Sequence, residues 1–135
     1  MCLGSMTNSL KTYQGQCHCG AVRFEFNAPE TVDVTDCNCS LCRMTGYEHV
    51  FVEEADLRFL SGRDQLVSYK FGTKTADHLF CGTCGIKPLY RPRSHPGAWS
   101  VNARCVDGLS VARRIGFDGQ NWDESIGGLH KSLET

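Results

Sequence analysis

The chain has 135 residues, of which 41% are hydrophobic and 21% are charged, and its formal net charge is −1. These values are typical of one globular domain that can bury a core of its own. A net charge this small gives no electrostatic reason to expect direct binding to nucleic acid or to a membrane surface. The sequence has no apolar run of the roughly eighteen residues that a membrane span needs, and its start does not resemble a secretory signal. We therefore expect an intracellular protein, in the cytoplasm or the nucleus.

Short runs of apolar, β-branched and aromatic residues predict strands along most of the chain. In the run AVRFEF (21–26), Val22, Phe24 and Phe26 share one face of the predicted strand, and the charged residues between them share the other. Strands at intervals of roughly eight to twelve residues predict an all-β fold, a sandwich or a barrel-like arrangement. Further strands are predicted, in chain order, at EHVFVE (48–53), LRFLSG (57–62), QLVSYKFG (65–72), HLF (78–80), KPLYR (87–91) and AWSVNAR (98–104).

Helical signals are few. The segment CSLCRMTG (39–46) predicts a single helical turn, and NWDESIGGLHKSL (121–133) predicts a weak C-terminal helix that two glycines interrupt. We expect residues 1–12 to be a disordered start and residues 13–135 to form one domain.

Nine cysteines are the unusual feature of the composition. Disulfides alone cannot use an odd number of thiols, and a reducing compartment disfavours disulfides in any case. A closed tetrahedral zinc site needs four ligands, and three protein ligands are typical of a site with an open position. Cys2 and Cys105 stand apart, and the other seven fall into three groups: Cys17 and Cys19; Cys37, Cys39 and Cys42; Cys81 and Cys84.

The segment FCGTCG (80–85) is typical of a zinc knuckle, in which glycine tolerates a positive φ and backbone amides point at the sulfurs. A knuckle needs a second pair of ligands, and the C-x-C pair at 17 and 19 is the simplest choice, although the pair at 37 and 39 stays open. The remaining three cysteines then form either an open site or a second structural site that a fourth side chain, such as a histidine, completes. Thioredoxin-like redox chemistry is disfavoured because a glycine and a strand-like LYR, and no helix, follow the CGTC.

The segments GQCHCGAVRFEF, CNCSLCRMTG and HLFCGTCGIKPLYRPRSHPGAWSVNARCVD resemble the glutathione-dependent formaldehyde-activating (GFA) family, and most of all its animal branch around centromere protein V. The resemblance runs from about Gly15 to Trp122. It implies an Mss4-like fold of β-sheets around zinc, with two zinc ions per chain. The structural zinc is implied on Cys17, Cys19, Cys81 and Cys84, and the second zinc on Cys37, Cys39 and Cys42.

The resemblance also implies an activity, that of a carbon–sulfur lyase. Glutathione would bind at the three-cysteine zinc and would be added to formaldehyde, or released from it, through S-hydroxymethylglutathione. The centromere protein V branch implies an alternative, a non-catalytic interaction domain that associates with chromatin or microtubules. The sequence leaves open whether the protein is a monomer or a homodimer.

A thiol such as glutathione carries carboxylates, for which arginine forks are suitable partners. We expect its partners among Arg43, Arg91 and Arg93, and we expect Asn38, between two ligands, to hydrogen-bond a sulfur or the substrate. Imidazoles are candidates for proton transfer; those near the motifs are His18, His49, His78 and His95.

Overall fold

The computed structural model describes residues 10–70, 76–93, 95 and 97–118. Within these residues the chain forms ten strands, one α-helix, α1 (Ser40–Thr45), and three single turns of 3-10 helix (Glu54–Asp56, Arg63–Gln65 and Ala103–Cys105). The strands are β1 (Leu10–Gln16), β2 (Arg23–Pro29), β3 (Thr31–Cys37), β4 (His49–Glu53), β5 (Leu57–Ser61), β6 (Leu66–Tyr69), β7 (His78–Cys81), β8 (Leu89–Tyr90), β9 (Ala98–Asn102) and β10 (Ser110–Phe117).

The strands form three sheets. A five-stranded sheet has the order β10-β3-β4-β9-β8, a three-stranded sheet has the order β1-β2-β5, and β6 pairs with β7. The predicted all-β fold of packed antiparallel sheets with few helical turns is confirmed, and it agrees with an Mss4-like arrangement. One pair departs from this pattern, because β10 runs parallel to β3. No helix among the described residues is long and apolar enough to cross a membrane.

The hydrophobic core lies between the three-stranded and five-stranded sheets. Phe24 and Phe26 of β2 are fully buried and Arg23 is exposed, so the predicted faces of this strand are confirmed. From the other sheet, Trp99 of β9 packs its ring edge against Phe59 of β5, with ring centroids 5.5 Å apart. Burying one large apolar side chain contributes about 1.5–3 kcal/mol, so this core stabilises the sheets that carry the cysteines.

Three strands were not predicted from the sequence. β1 and β10 have mainly exposed side chains and no sustained alternation of apolar and polar residues, and β3 alternates over a few residues only. The expected disordered start is too long, because residues 10–12 belong to β1, where Leu10 pairs with Pro29 and the Thr12 hydroxyl donates to Asn27 Oδ1 at 2.9 Å. The helix predicted at 121–133 lies outside the described residues.

Candidate functional site

Four cysteines from two distant segments meet at one end of the three-stranded sheet. The Sγ atoms of Cys17, Cys19, Cys81 and Cys84 all lie within 4.8 Å of one another. The Sγ of Cys19 is 3.6 Å from that of Cys17 and 3.7 Å from that of Cys81. The structure therefore pairs the knuckle cysteines with the pair at 17 and 19 and excludes the alternative pairing with Cys37 and Cys39.

Two similar turns position these four thiols, which we call the four-cysteine group. After β1, the Cys17 amide donates to Val22 O and the Gly20 amide to Cys17 O, with Gly20 at φ 80°. After β7, the Gly85 amide donates to Cys81 O, with Gly85 at φ 79°. Glycine adopts this left-handed region without steric cost, which explains why each cysteine pair is followed by a glycine. Backbone amides also point at sulfur, as in the 3.4 Å contact from Val22 N to Cys17 Sγ.

The other three thiols, Cys37, Cys39 and Cys42, form a second group that we call the triad. Their Sγ atoms also lie within 4.8 Å of one another. Cys37 ends β3, Cys39 is the N-cap of α1, where its Sγ accepts from the Cys42 amide at 3.4 Å, and Cys42 is buried inside the helix. The helix ends at Gly46, which adopts φ 69°. One short turn thus directs all three thiols to a common point.

No fourth Cys, His, Asp or Glu among the described residues joins the triad within the same 4.8 Å. The nearest histidine, His49 of β4, approaches from one side, with Nε2 3.2 Å from Cys42 Sγ. Each group could hold a metal ion, but the four-cysteine group presents a complete tetrahedral set and the triad presents three ligands.

A buried polar network supports His49 behind the triad. Its Nδ1 lies 2.9 Å from the Ser100 hydroxyl and 3.3 Å from the Tyr90 hydroxyl, and the Tyr47 hydroxyl donates to Ser100 O at 2.7 Å. A thiolate at Cys42, as in a metal-bound triad, can only accept a hydrogen bond. In that state His49 would carry its proton on Nε2, and Nδ1 would accept from a hydroxyl. The imidazole therefore orients a triad sulfur, as partners of metal ligands commonly do.

The protonation of this region follows from burial and from the crowding of sulfurs. Hydrogen bonds from the Cys37 and Cys42 thiols lower the pKa of Cys39 to about 2, whereas hydrogen bonding to Cys37 and Cys39 raises the pKa of Cys42. Burial, assisted by the charge of Lys87, lowers the pKa of His49 to about 3. The imidazole is therefore neutral at physiological pH, and the negative charge of the metal-free triad concentrates on Cys39.

The triad lies on the wall of a cavity of about 340 Å³. Cys37 and Cys42 contribute to its lining beside two cationic side chains, Arg43 and Arg104. Arg104 Nη2 is 3.7 Å from Glu48 Oε2, while Arg114 holds the same carboxylate more closely, at 2.6 Å. The remaining lining residues are Asp36, Asn38, Gly46, Tyr47 and Glu48.

The predicted substrate residues divide between two places. Arg43 and Asn38 line the cavity, and Asn38 also donates from Nδ2 to Asp118 Oδ1 at 3.2 Å, tying the triad loop to the chain after β10. Arg91 follows β8, where its Nη1 lies 2.6 Å from Glu54 Oε2 and its guanidinium covers the Trp99 ring at 3.7 Å. Arg93 is half-buried, and neither of these two arginines contributes to the cavity lining.

The residues behind the triad were not predicted from the sequence; they are Tyr47, Lys87, Tyr90 and Ser100. Tyr90 and Ser100 lie in ordinary strand patterns and Tyr47 in the short link between α1 and β4, so nothing in their local sequence distinguishes them. Lys87 did carry a signal, since a lysine stands directly before an apolar strand and three residues after a knuckle cysteine. Cys105 lies outside both groups, half-buried, and burial raises its pKa to about 11, which leaves its thiol unreactive.

A family model and a curated relative point to the same family. A family model described as "Glutathione-dependent formaldehyde-activating enzyme" matches residues 12–122. A Halomonas elongata protein named "Putative glutathione-dependent formaldehyde-activating enzyme" is 29% identical over 103 residues, which are 67% of this chain and 66% of that protein, just under two thirds of its length. A crystal structure of a Rhodobacter sphaeroides protein is similar at a TM-score of 0.63 and 38% identity, covering 72% of this chain and 90% of that one.

Proposed function

Because this chain belongs to the glutathione-dependent formaldehyde-activating enzyme family, we propose that it is a zinc-dependent carbon–sulfur lyase acting on glutathione and formaldehyde. One observation carries the proposal: three thiols converge, with no fourth protein ligand among the described residues, on the wall of a cavity that also contains two arginines. We place its action inside the cell, where its many thiols stay reduced.

The sulfur spacing of the four-cysteine group supports zinc there, and the triad sulfurs, also within 4.8 Å of one another, offer the same type of ligand. A Zn–S bond of about 2.3 Å in tetrahedral geometry separates two sulfurs by about 3.8 Å. The contacts from Cys19 to Cys17 and Cys81, at 3.6 and 3.7 Å, agree with this spacing. We assign a structural zinc to Cys17, Cys19, Cys81 and Cys84, and a second zinc to Cys37, Cys39 and Cys42, giving two per chain.

The chemistry needs a thiolate at the triad. Zinc held there would keep a fourth thiol ligand deprotonated at neutral pH. The glutathione sulfur adds to the formaldehyde carbon, the carbonyl π electrons move to oxygen, and that oxygen takes up one proton. The product is S-hydroxymethylglutathione, and the reverse reaction breaks the same C–S bond. The His49 Nε2 lies 3.2 Å from Cys42 Sγ, and it would keep a Cys42 thiolate oriented by donating a hydrogen bond to it.

The cavity suits a zwitterionic peptide. Arg43 and Arg104 offer guanidinium forks to the two carboxylates of glutathione. Asp36 and Glu48 offer negative charge to its amino group, and Asn38 offers an amide. Arg91 and Arg93 do not line the cavity. They stay predicted substrate residues, and only a ligand that extends beyond the cavity would reach them.

The proposal is tested on cobalt-substituted protein, because cobalt reports thiolate ligands by absorption. We expect glutathione to perturb one of two cobalt centres, and the protein to accelerate formation of S-hydroxymethylglutathione from ¹³C-formaldehyde, followed by NMR. The variant Cys42→Ser should fold, should lose the spectral response and should return the rate to background.

The matched control is Cys105→Ser, which removes a half-buried thiol outside both groups and should leave the spectrum and the rate unchanged. If glutathione leaves both cobalt centres of the wild-type protein unchanged, the proposed function is wrong. The interaction-domain alternative of the centromere protein V type, with chromatin or microtubules as partners, stays a prediction that this result would favour.

A further inference from the structure

Lys87 is a buried cation beside the triad, with only 8% of its surface exposed. It follows the knuckle turn, and its carbonyl accepts from Asn102 Nδ2 at 3.1 Å, so the backbone holds it in place. Among the described residues no carboxylate lies within ion-pair distance of its ammonium. An isolated buried ammonium is strongly unfavourable, so another source of negative charge must stabilise this one.

The immediate neighbours of Lys87 are neutral. Its Nζ lies 2.7 Å from His78 Nδ1, and because an ammonium has donors only, this nitrogen accepts the hydrogen bond. The same Nζ lies over the faces of Tyr90 and Tyr47, 3.8 and 4.8 Å from the ring centroids. These contacts replace water around the charge, as cation–π contacts do, but they do not neutralise it.

The nearby negative charge belongs to the triad. The Tyr90 hydroxyl contacts His49 at 3.3 Å, and His49 contacts Cys42 Sγ at 3.2 Å, so two side chains separate the ammonium from the sulfurs. Burial lowers the pKa of Lys87 to about 8, and the charges of the three triad cysteines act in the opposite direction. Lys87 and the triad cysteines therefore interact electrostatically across these two side chains, without touching.

Charge counting shows what this connection does. Three thiolates around a divalent ion leave a net charge of −1. Water as a fourth ligand keeps this charge at −1, whereas a fourth thiolate makes it −2. A buried positive charge favours the more negative state, because attraction is weakly screened in the interior. We propose that the Lys87 ammonium is the buried counter-charge of the triad and that it favours an anionic sulfur over water as the fourth ligand. The inference rests on the proposed function, and Lys87 is a positioning residue that acts at a distance.

The test uses the full-length, cobalt-loaded protein and two readouts at one pH. The first is the glutathione dissociation constant from the change in cobalt absorption. The second is the dissociation constant of 2-mercaptoethanol, a small thiol without carboxylates, measured in the same way. Lys87→Gln removes the charge but keeps an N–H donor for His78, and we expect it to weaken both by roughly tenfold. Lys87→Arg, which keeps the charge, should stay much closer to wild type.

Lys11→Met is the matched control, since Lys11 also lies over a tyrosine ring, 5.3 Å from the Tyr13 centroid, but is exposed and remote on β1. It should match wild type in both readouts. Lys87→Met serves as a second uncharged variant should Lys87→Gln fail to fold. The inference is overturned if folded, uncharged variants bind both thiols as tightly as wild type does, or if Lys87→Arg is as impaired as they are.

The two proposals fail in different ways. If wild-type protein shows no glutathione response, the proposed function is wrong, yet a tenfold weaker binding of 2-mercaptoethanol in Lys87→Gln would still support the counter-charge; if neither thiol binds to wild type, both proposals are wrong. If wild type binds glutathione and Lys87→Gln binds it equally well, the counter-charge is wrong and the proposed function stands. A triad that takes up no cobalt in wild type overturns both.

Discussion

The four-cysteine group and the triad contain the same kind of ligand but differ in what each does to the chain. The four-cysteine group joins the turn after β1 to the turn after β7, with Cys19 and Cys81 separated by 62 residues. The triad lies within one turn, at the end of β3 and the start of α1. A metal at the first would connect distant segments, while a metal at the second would rigidify a short loop.

Their surroundings differ in the same sense. The four-cysteine group packs against apolar residues, Val22 and Phe59 among them. The triad faces a cavity on one side and a buried polar network on the other. Polar groups in a core are costly unless they are hydrogen-bonded, so their concentration behind the triad supports the proposal that the triad is the reactive site and the four-cysteine group is structural.

The largest expected effect comes from breaking the four-cysteine group. Cys84→Ser should lose the metal there and misfold, because a structural zinc contributes on the order of 10 kcal/mol of binding free energy that is also folding free energy. Metal content per chain and far-UV circular dichroism measure this. Cys42→Ser should keep one metal and a cooperative thermal transition. Equal melting temperatures for Cys84→Ser and Cys42→Ser would contradict the different roles assigned to the two groups.

A pair of glycines gives a milder version of the comparison. A Cβ at Gly62, at φ +76°, would lie 1.9 Å from Ala21 O in the turn that carries the first two cysteines; at Gly46, at φ +69° beside the triad, it would meet nothing within 4 Å. We expect Gly62→Ala to lower the free energy of unfolding by about 3 kcal/mol, and Gly46→Ala by about 1 kcal/mol from backbone strain alone. Urea unfolding measures both, and similar losses would show that the two turns are equally tolerant.

His49 tests whether the polar network serves the triad alone. His49→Gln should lower metal affinity at the triad by roughly tenfold, since second partners of metal ligands commonly contribute this much, and should leave the four-cysteine group unchanged. Chelator competition with the two sites resolved by cobalt absorption measures it. His95→Gln, which removes an imidazole that stacks on Phe51 with centroids 4.0 Å apart, is the control. A comparable loss in both variants would contradict a specific role for His49.

The smallest effect is a pH dependence from His78. Burial, followed by the charge of Lys87, lowers the pKa of His78 to about 4, below the value of about 6.5 in an unfolded chain. Between these values the unfolded chain binds more protons, so the free energy of unfolding falls as the pH decreases from about 6.5 to about 4. The contribution is fully present above 6.5.

Two measurements check this. The imidazole resonances of His78 should show no titration above pH 5, and in Lys87→Gln the pKa should rise towards 6.5. His78→Gln should reduce the pH dependence of urea unfolding by less than about 1 kcal/mol once solvent screening is allowed for. A His78 whose pKa is near 6.5 in wild type would show that the region around His78 and Lys87 is open to water.

Both cysteine groups were predictable because thiols are scarce and their spacing is restrictive. A C-x2-C followed by glycine needs a specific turn, and the structure contains that turn at Gly85 with its left-handed φ. The all-β class was predictable for a similar reason, since alternating residues such as Phe24 and Phe26 have one buried face.

The polar network was not predictable, because its members come together only through sheet order. Tyr47 and Ser100 are far apart in sequence and meet because β4 pairs with β9, which places Asn102 opposite His49. The parallel pairing of β3 with β10 was hidden for the same reason, since local patterns indicate hairpins and contain no information about a partner many residues away.

The compactness of the triad has a consequence for the newly made chain. Its three thiols leave the ribosome almost together, and the loop that joins them is too short to oppose metal capture by much chain entropy. The four-cysteine group must wait until β7 and the knuckle have been synthesised. The triad could therefore bind a metal ion before the four-cysteine group is complete, so the supply of metal during synthesis would affect the two groups at different times.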